Sequence, residues 1–224
     1  SICNHCVPDR WVINSMAMTA TANLDWFIRE HCQADKSEAD TTGRNIFEVI
    51  NEKVGASTIG ANGILFLPFL QGERAPFLKT TARGVFFGMT DASRRGDMLR
   101  SIFEGVAFST RHNYETVERA IPINEVVLAG GGSKSKQWSQ IISDCTNKPM
   151  HIVAGEEFGA LGAAFNAGVG VGLYSNHNEA VSKLTVARNH VPDLEANAAY
   201  TKYYSAYKNL IEAVWNLWDQ MAAI

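Results

Sequence analysis

The amino-acid sequence predicts an α/β domain, and three observations lead to that prediction. From Glu125 onward, apolar runs alternate with helical segments in the order strand–helix–strand–helix, which is typical of layered α/β structure. Residues 96–120 place apolar side chains at three- and four-residue steps, which predicts a long helix with one buried face. Residues 200–221 repeat that spacing with many aromatic side chains, which predicts a final helix that docks on the domain.

The rest of the chain divides into shorter predicted elements. Residues 15–31 predict a helix that Ser15 caps, and residues 33–42 predict a polar loop. Residues 45–54 predict a second, short helix. Strands are predicted at residues 64–67, 83–88, 125–129 and 150–154, and further helices at residues 134–146 and 158–171. No internal repeat or dividing linker interrupts this order, so we expect a single domain.

Composition and charge argue against several functional classes. The 224 residues are 46% hydrophobic, enough for a substantial core, and the formal net charge is -3. Basic residues are spread along the chain, so we expect no nucleic-acid partner. The longest apolar run, Gly63–Leu70, is far shorter than the roughly 20 residues of a spanning helix. With no signal peptide at Ser1, we expect a cytoplasmic protein without a membrane partner.

Cys3 and Cys6 have the two-residue gap of a zinc or redox pair. A structural zinc site needs four ligands, and no second Cys/His pair with suitable spacing follows. A thioredoxin-like pair should lie where a strand runs into a helix, whereas Val7, Pro8 and Asp9 follow Cys6 directly. We therefore interpret the thiols as reduced and incidental, and predict no metal ligand.

The segment Leu128–Trp138 is the most informative part of the sequence for chemistry. An apolar strand runs into Gly130, Gly131 and Gly132 and then into a helix that opens with small polar residues. Glycines allow backbone amides to approach a phosphate, and a helix N-terminus adds free N–H donors and a favourable dipole. Tight packing would also explain the glycines. The spacing matches neither the Walker pattern nor the dinucleotide-binding Gly-x-Gly-x-x-Gly fingerprint.

A second small-residue segment follows the next predicted strand. Gly159, Gly162 and Ala163 lie on one helical face and would permit the close approach of another backbone. Packing of the helix on a sheet and contact with a ligand both remain open interpretations of this face.

Residues 84–104 allow a specific comparison. They begin Gly-Val-Phe-Phe-Gly-Met and end, after seven further residues, Asp-Met-Leu-Arg-Ser-Ile-Phe-Glu. This pattern resembles the second signature of the FGGY carbohydrate kinases at every defined position. The segments Gly72–Pro76, Leu128–Ser133 and Ala160–Ala164 resemble three further family segments in the same order. The resemblance covers roughly residues 3–220.

The resemblance implies an actin-like ATPase (ribonuclease H-like) fold with a mixed sheet flanked by helices. It also implies that residues 1–224 are the C-terminal, nucleotide-binding domain of a kinase whose two domains close over ATP and sugar. By the family pattern, Gly130 and Gly131 would contact the nucleotide phosphates, and Gly132 and Ser133 would complete the turn. Ser135 stands where the family often places an Asn that approaches adenine. The helix ending in Glu104 would line the wall beneath the nucleotide.

The sequence also lacks two parts of the family pattern. No Gly-Asp-Gln or Gly-Asp-Asn occurs, so we expect the catalytic base Asp in a first domain that lies outside this chain. The phosphate-binding hairpin that opens the second domain is expected just before Ser1. We therefore predict no catalytic residue here, a domain truncated at its N-terminal edge that is inactive alone, and an exposed strand edge that favours a homodimer.

The implied activity is transfer of a phosphoryl group from ATP to a sugar, with Mg²⁺ held mainly by the nucleotide and the other domain. Residues 5–27 and 64–70 resemble the xylulose-kinase branch most, so we expect a ketopentose such as xylulose as substrate. Gluconate, glycerol or other polyol kinases of the family are alternatives. A non-catalytic actin-like nucleotide-binding fragment is a third possibility.

Overall fold

The structure, a computed structural model, describes all of residues 1–224. The helices are α1 Thr21–His31, α2 Gln33–Thr42, α3 Ile46–Gly55, α4 Arg95–Glu118, α5 Lys136–Thr146, α6 Phe158–Gly170, α7 His177–Val181 and α8 Leu194–Ala222. The strands are β1 Ile2–Asn4, β2 Trp11–Ile13, β3 Leu65–Leu67, β4 Val85–Phe87, β5 Val126–Leu128, β6 Met150–Val153 and β7 Val186–His190. None of the helices combines the length and apolar character needed to cross a membrane.

The strands form three separate sheets. β1 and β2 pair as an antiparallel hairpin, and β3 and β4 form a second antiparallel pair. The third sheet has the order β5-β6-β7, in which β5 and β6 are parallel and β6 and β7 antiparallel. This sheet is therefore mixed, and β5 is one of its edges.

The core lies between β3 and the helices α1, α3, α4, α5 and α8. One cluster of buried side chains joins these elements, and α4 is its centre because it contacts most of the others. The apolar spacing of α4 explains this position, and the Asp97 carboxylate stabilises its first turn by accepting from the Arg94 amide. The predicted long helix is confirmed.

Three local predictions are wrong. The first helix begins at Thr21 and Ser15 does not cap it; the Ser15 hydroxyl instead donates to Asn113 Oδ1 at 2.5 Å. Residues 33–42 form α2 rather than a loop, and the left-handed Gly43 ends that helix. The third error is one of omission, because β1, β2, α7 and β7 were not predicted.

The last helix is correctly predicted to dock, but its buried face differs from the expected stripe. α8 begins earlier, at Leu194, where Asp193 caps it by accepting from two backbone amides. Its buried side chains are Tyr200, Tyr204, Tyr207, Leu210, Ile211 and Trp218. The spacing over residues 200–221 also predicts Leu217 and Met221 on the docking face, but they are 52% and 67% exposed.

Candidate functional site

A cleft of about 490 Å³ opens beside the glycine-rich turn. Four parts of the chain that are far apart in sequence form its walls, namely the starts of α1 and α3, the middle of α4, and the turn that leads into α5. The residues around it are Thr21, Leu24, Asp25, Asn45, Phe47, Glu48, Asn51, Phe103, Gly131, Lys134, Ser135 and Trp138. The cleft therefore combines apolar, amide and charged groups at the N-termini of several helices.

The glycine turn is a short 3-10 helix, Gly131–Lys134, between β5 and α5. Gly130 enters it with φ 88° and ψ -171°, a backbone conformation that side-chain-bearing residues rarely adopt. The amides of Gly131 and Gly132 donate to no acceptor within the chain. A Cβ at Gly131 would meet no atom within 4 Å, whereas one at Gly132 would lie 3.3 Å from Thr21 Cγ2. The turn thus offers two free N–H donors and little steric cover.

The carbonyl oxygens of the turn are held by groups of this chain. Gly130 O accepts from the Ser133 amide at 3.1 Å and from the Ser133 hydroxyl at 2.7 Å. Ser133 O accepts from the Arg188 guanidinium of β7 at 2.6 Å. Ser135 O accepts from the Ser139 hydroxyl at 2.7 Å. These three acceptors are therefore satisfied internally, whereas the amides of Gly131 and Gly132 remain free to donate.

Ser135 has two hydrogen bonds within the chain. Its hydroxyl accepts from the Trp138 amide at 3.1 Å, which caps α5, and donates to Asn51 Oδ1 at 2.8 Å. The predicted adenine-side residue therefore lines the cleft, but its only proton is already donated. Asn51, which the sequence analysis did not select, lines the cleft beside it.

The floor of the cleft is aromatic. Phe103 of α4 and Trp138 of α5 stack with ring centroids 4.4 Å apart and an interplanar angle of 14°. The Trp138 indole N–H donates to Phe103 O at 3.1 Å, so both rings are fixed. Both side chains are nearly fully buried, so they form the wall behind the cleft, and the exposed aromatic side chain of the lining is Phe47. This placement agrees with the expectation that the signature helix lies beneath the site.

Glu104, the last residue of the signature, supports α4 rather than the cleft. It is buried, and its carboxylate accepts from Arg100 Nε at 2.7 Å and from the Gly60 amide at 3.1 Å. Burial raises the pKa of Glu104 to about 7, although the Arg100 charge acts in the opposite direction. Arg100 in turn donates to the Tyr200 hydroxyl of α8 at 2.9 Å.

A larger cavity of about 550 Å³ lies at the N-terminus of α4, away from the glycine turn. Several of its polar groups are already engaged with groups of this chain. Asp97 accepts from Ser57 and Asn62, both at 2.6 Å, and Lys53 pairs with Asp35 and Glu38. We therefore place the candidate site at the smaller cleft.

The small-residue face of α6 contacts neither the sheet nor the cleft in this chain. A Cβ at Gly159 or Gly162 would meet no atom within 4 Å, and Gly168 is the only buried residue of the helix. Close packing on a neighbouring backbone within the chain, one of the two interpretations, is thus not observed.

The chain is similar to known proteins in both sequence and fold. Residues 2–171 match the FGGY family of carbohydrate kinases, C-terminal domain. The chain is 30% identical over 211 residues to the xylulose kinase of Staphylococcus xylosus, an alignment covering 93% of this chain and 42% of that protein. It is 31% identical over 206 residues to the L-xylulose/3-keto-L-gulonate kinase of Escherichia coli, with coverages of 91% and 39%.

The solved xylulose kinase from Rhodospirillum rubrum has a TM-score of 0.84 and 23% identity, covering 97% of this chain and 43% of that one. The chain therefore belongs to the FGGY family of carbohydrate kinases, and the predicted actin-like fold with a mixed sheet is confirmed. It spans about two fifths of the length of the relatives it matches.

Proposed function

We propose that this chain is the nucleotide-binding half of a sugar kinase that transfers a phosphoryl group from ATP to a ketopentose such as xylulose. The cleft beside the glycine turn would receive ATP. A separate domain would contribute the sugar-binding site and the base that deprotonates the sugar hydroxyl. The names and lengths of the relatives support this division, because the chain aligns with about two fifths of each of them.

The observation that carries the proposal is the pair of free amides at Gly131 and Gly132, set beside a cleft that the exposed ring of Phe47 also lines. Free N–H groups at the start of a helix bind phosphate oxygens, and an exposed aromatic face accepts a purine ring. The two features lie side by side, as the two ends of a nucleotide require. Asp25 lies on the opposite wall, where a carboxylate can accept from a ribose hydroxyl or an exocyclic amine.

We assign roles to the five predicted residues on this basis. Gly130 and Gly131 would approach the phosphates, and Gly132 with Ser133 would keep the turn closed. Ser135 would border the adenine without donating to it, because its proton is donated to Asn51. Thr21 and Asn51 are additional candidate contacts from the cleft walls.

The chain does not contain a metal site for the Mg²⁺ that phosphoryl transfer requires. The structure has no group of three or more His, Cys, Asp or Glu side chains that could hold a metal ion. Mg²⁺ would be held mainly through the nucleotide and the other domain.

A titration with ATP tests nucleotide binding. We expect the full-length gene product to bind ATP and to consume it with a ketopentose. We expect this chain alone to bind more weakly than about millimolar, since the other domain would supply the remaining contacts to the nucleotide. The kinase proposal fails if the full-length protein consumes no ATP with D-xylulose, L-xylulose, gluconate, glycerol or erythritol. Turnover with gluconate, glycerol or erythritol alone would show that the substrate is not a ketopentose. ATP binding without any turnover would favour the non-catalytic alternative.

Gly131→Ala tests the site itself. The new methyl group has room and an ordinary backbone conformation, so the fold should be retained while the approach of phosphate is blocked. We expect the affinity of the full-length protein for ATP to fall by about tenfold or more, since this costs at least one charged hydrogen bond. Gly170→Ala is the matched control, because its Cβ also meets nothing within 4 Å and it lies outside both glycine segments considered for a ligand. Equal ATP affinities for the two variants would contradict the assignment.

A further inference from the structure

A chain of three polar side chains lies behind the glycine turn, on the side away from the cleft. The Arg188 guanidinium donates from one terminal nitrogen to Ser133 O at 2.6 Å and from Nε to His190 Nε2 at 2.9 Å. His190 Nδ1 lies 2.7 Å from Gln140 Oε1 on α5. No carboxylate pairs with Arg188, so its orientation depends on the carbonyl and the imidazole.

These contacts fix the protonation state of His190. A guanidinium can only donate, so Nε2 must carry a lone pair and Nδ1 the proton. The Gln140 amide is itself oriented, because its Nε2 donates to Asp144 Oδ1 at 2.7 Å and to Val191 O at 2.9 Å. Its oxygen therefore faces Nδ1–H. The imidazole is neutral in this arrangement, and a second proton at Nε2 would point at an Arg188 N–H.

The charged groups around His190 include both a cation and carboxylates. Arg188 lies on the same strand, and Asp144 on α5 is reached through Gln140. The Asp193 amide, at the start of α8, donates to the same Asp144 carboxylate at 2.8 Å. The neighbour on β6 is the apolar Met150. Burial, followed by the Arg188 charge, lowers the pKa of His190 below its ordinary value, which keeps the ring neutral near pH 7.

We propose that Arg188 is a positioning residue for the glycine turn and that neutral His190 holds it in place. The Arg188 bond is the shortest hydrogen bond to the Ser133 carbonyl; the other donor, the Ser139 hydroxyl, is 3.4 Å away. Without Arg188 the Ser133 carbonyl keeps only the long Ser139 contact, so Ser133, whose amide and hydroxyl hold Gly130 O, is less firmly placed. The amides of Gly131 and Gly132 then lose their fixed direction. Protonation of His190 has the same effect, so nucleotide binding falls as the pH drops below about 6.5.

This inference rests on the proposed function for its consequence, but the turn itself can be observed without nucleotide. In the wild-type chain, the backbone amide NMR signals of Gly131 and Gly132 should shift with a single titration whose midpoint lies below about pH 6.5. In His190→Gln the side chain can still accept from Arg188 and donate to Gln140, so this titration should disappear. Unchanged titration of both signals in His190→Gln would overturn the relay.

The variants Arg188→Met and Arg188→Lys test the positioning role in the full-length protein. We expect Arg188→Met to weaken ATP binding by about tenfold through loss of a charged hydrogen bond, with Arg188→Lys restoring part of it. Arg83→Met is the control, because Arg83 also donates to two backbone carbonyls, of Thr80 and Ala82, but lies outside the cleft.

The two proposals fail in different ways. If wild type binds ATP and Arg188→Met binds it equally well with unmoved glycine signals, the positioning role is wrong. If wild type binds no ATP while the glycine signals move in Arg188→Met, the positioning role stands and the nucleotide proposal is wrong. Should Arg188→Met not fold, Arg188→Lys and His190→Gln decide the question by the same signals.

Discussion

α4 and α6 invert the usual relation between composition and burial. α4 carries several charged residues, yet more than half of its side chains are buried, including Arg100 and Glu104. α6 has no charged residue, yet only Gly168 is buried. The difference shows that an apolar sequence predicts a helix but not its partner. The charges of α4 can be buried because they pair with one another and with backbone groups, as buried charges must.

The contrast between a well-buried and a poorly buried helix extends to the elements around α4 and α6. The helices around α4 share one continuous core, whereas β7 and α6 add no side chain to it and β5 adds only the partly buried Val126 and Leu128. Val127 in β5 is 63% exposed, and Val171 and Leu173, just after α6, are 82% and 69% exposed. The glycine turn lies at the boundary between the two regions. The proposed site thus has one wall in a rigid core and its phosphate-binding segment on the less packed part.

The largest expected difference in the free energy of unfolding is between removing one aromatic ring from α4 and one from α6. Phe108 of α4 is 1% exposed and packs on Tyr200, Tyr204 and Tyr207. We expect Phe108→Ala to lower the free energy of unfolding by about 3–5 kcal/mol. Phe165→Ala in α6 removes a half-buried ring that meets Tyr174 and should cost about 1 kcal/mol or less. Urea unfolding measures both, and equal losses would break the comparison.

An intermediate effect concerns pH and the buried carboxyl of Glu104. Its folded pKa of about 7 lies above the unfolded value, so the folded state binds the additional proton. Stability from this group is present at low pH and is lost as the pH rises through about 7. The melting temperatures of wild type and Glu104→Gln should therefore be similar at pH 5, where Glu104 is protonated. They should separate toward pH 8, where the wild type loses stability. Parallel curves would show that Glu104 is charged throughout.

His112 and His190 do not obscure this result. Burial lowers the pKa of both rings, so the stability that they contribute is lost as the pH falls. This direction is opposite to that of Glu104. They are present in wild type and variant alike. The difference between the two melting curves isolates the carboxyl.

The smallest effect on stability is expected at the exposed apolar positions. Val171→Lys with Leu173→Lys should change the free energy of unfolding by less than about 0.5 kcal/mol, because neither side chain is buried. The same pair should reduce self-association, since it places charge on an apolar patch that a second copy could cover. Sedimentation velocity measures this. A homodimer unaffected by both substitutions would use another surface, and a monomeric wild type would contradict the predicted dimer.

The parts of the fold that follow from local sequence were predictable. The long α4, the short α3 and the turn at Gly130–Gly132 all depend on spacing within one segment. The start of α1 did not follow, because the segment before it is held by distant partners. The Met18 amide donates to Glu73 Oε1 at 2.9 Å, and Thr19 donates to Pro68 O. Such contacts leave no periodic signal in the sequence.

α2 was missed for a different reason. Its residues are mostly polar, and only Asp35 and Ala39 are buried, so no apolar face marks it as a helix. The available signal was Gly43, whose left-handed conformation ends the helix. Gln33, Ser37 and Thr42 stabilise it locally by donating from their side chains to carbonyls one turn earlier.

The candidate site was half predictable for the same physical reasons. Gly130, Gly131 and Ser135 lie in one continuous segment, so their pattern indicated an anion-binding turn. Asp25 and Asn51 come from other helices and reach the cleft through tertiary packing. Nor could the sequence show that the hydroxyl of Ser135 is already bonded at both ends.

The stacked floor of the cleft gives the molecule an internal optical reporter. Of the five tryptophans, Trp138 lines the cleft, whereas Trp11 is 69% exposed on the β1–β2 hairpin. A ligand in the cleft alters the electronic surroundings of Trp138, whereas Trp11 lines no part of the cleft. Occupancy of the cleft is therefore readable from intrinsic emission, without any label attached to the protein.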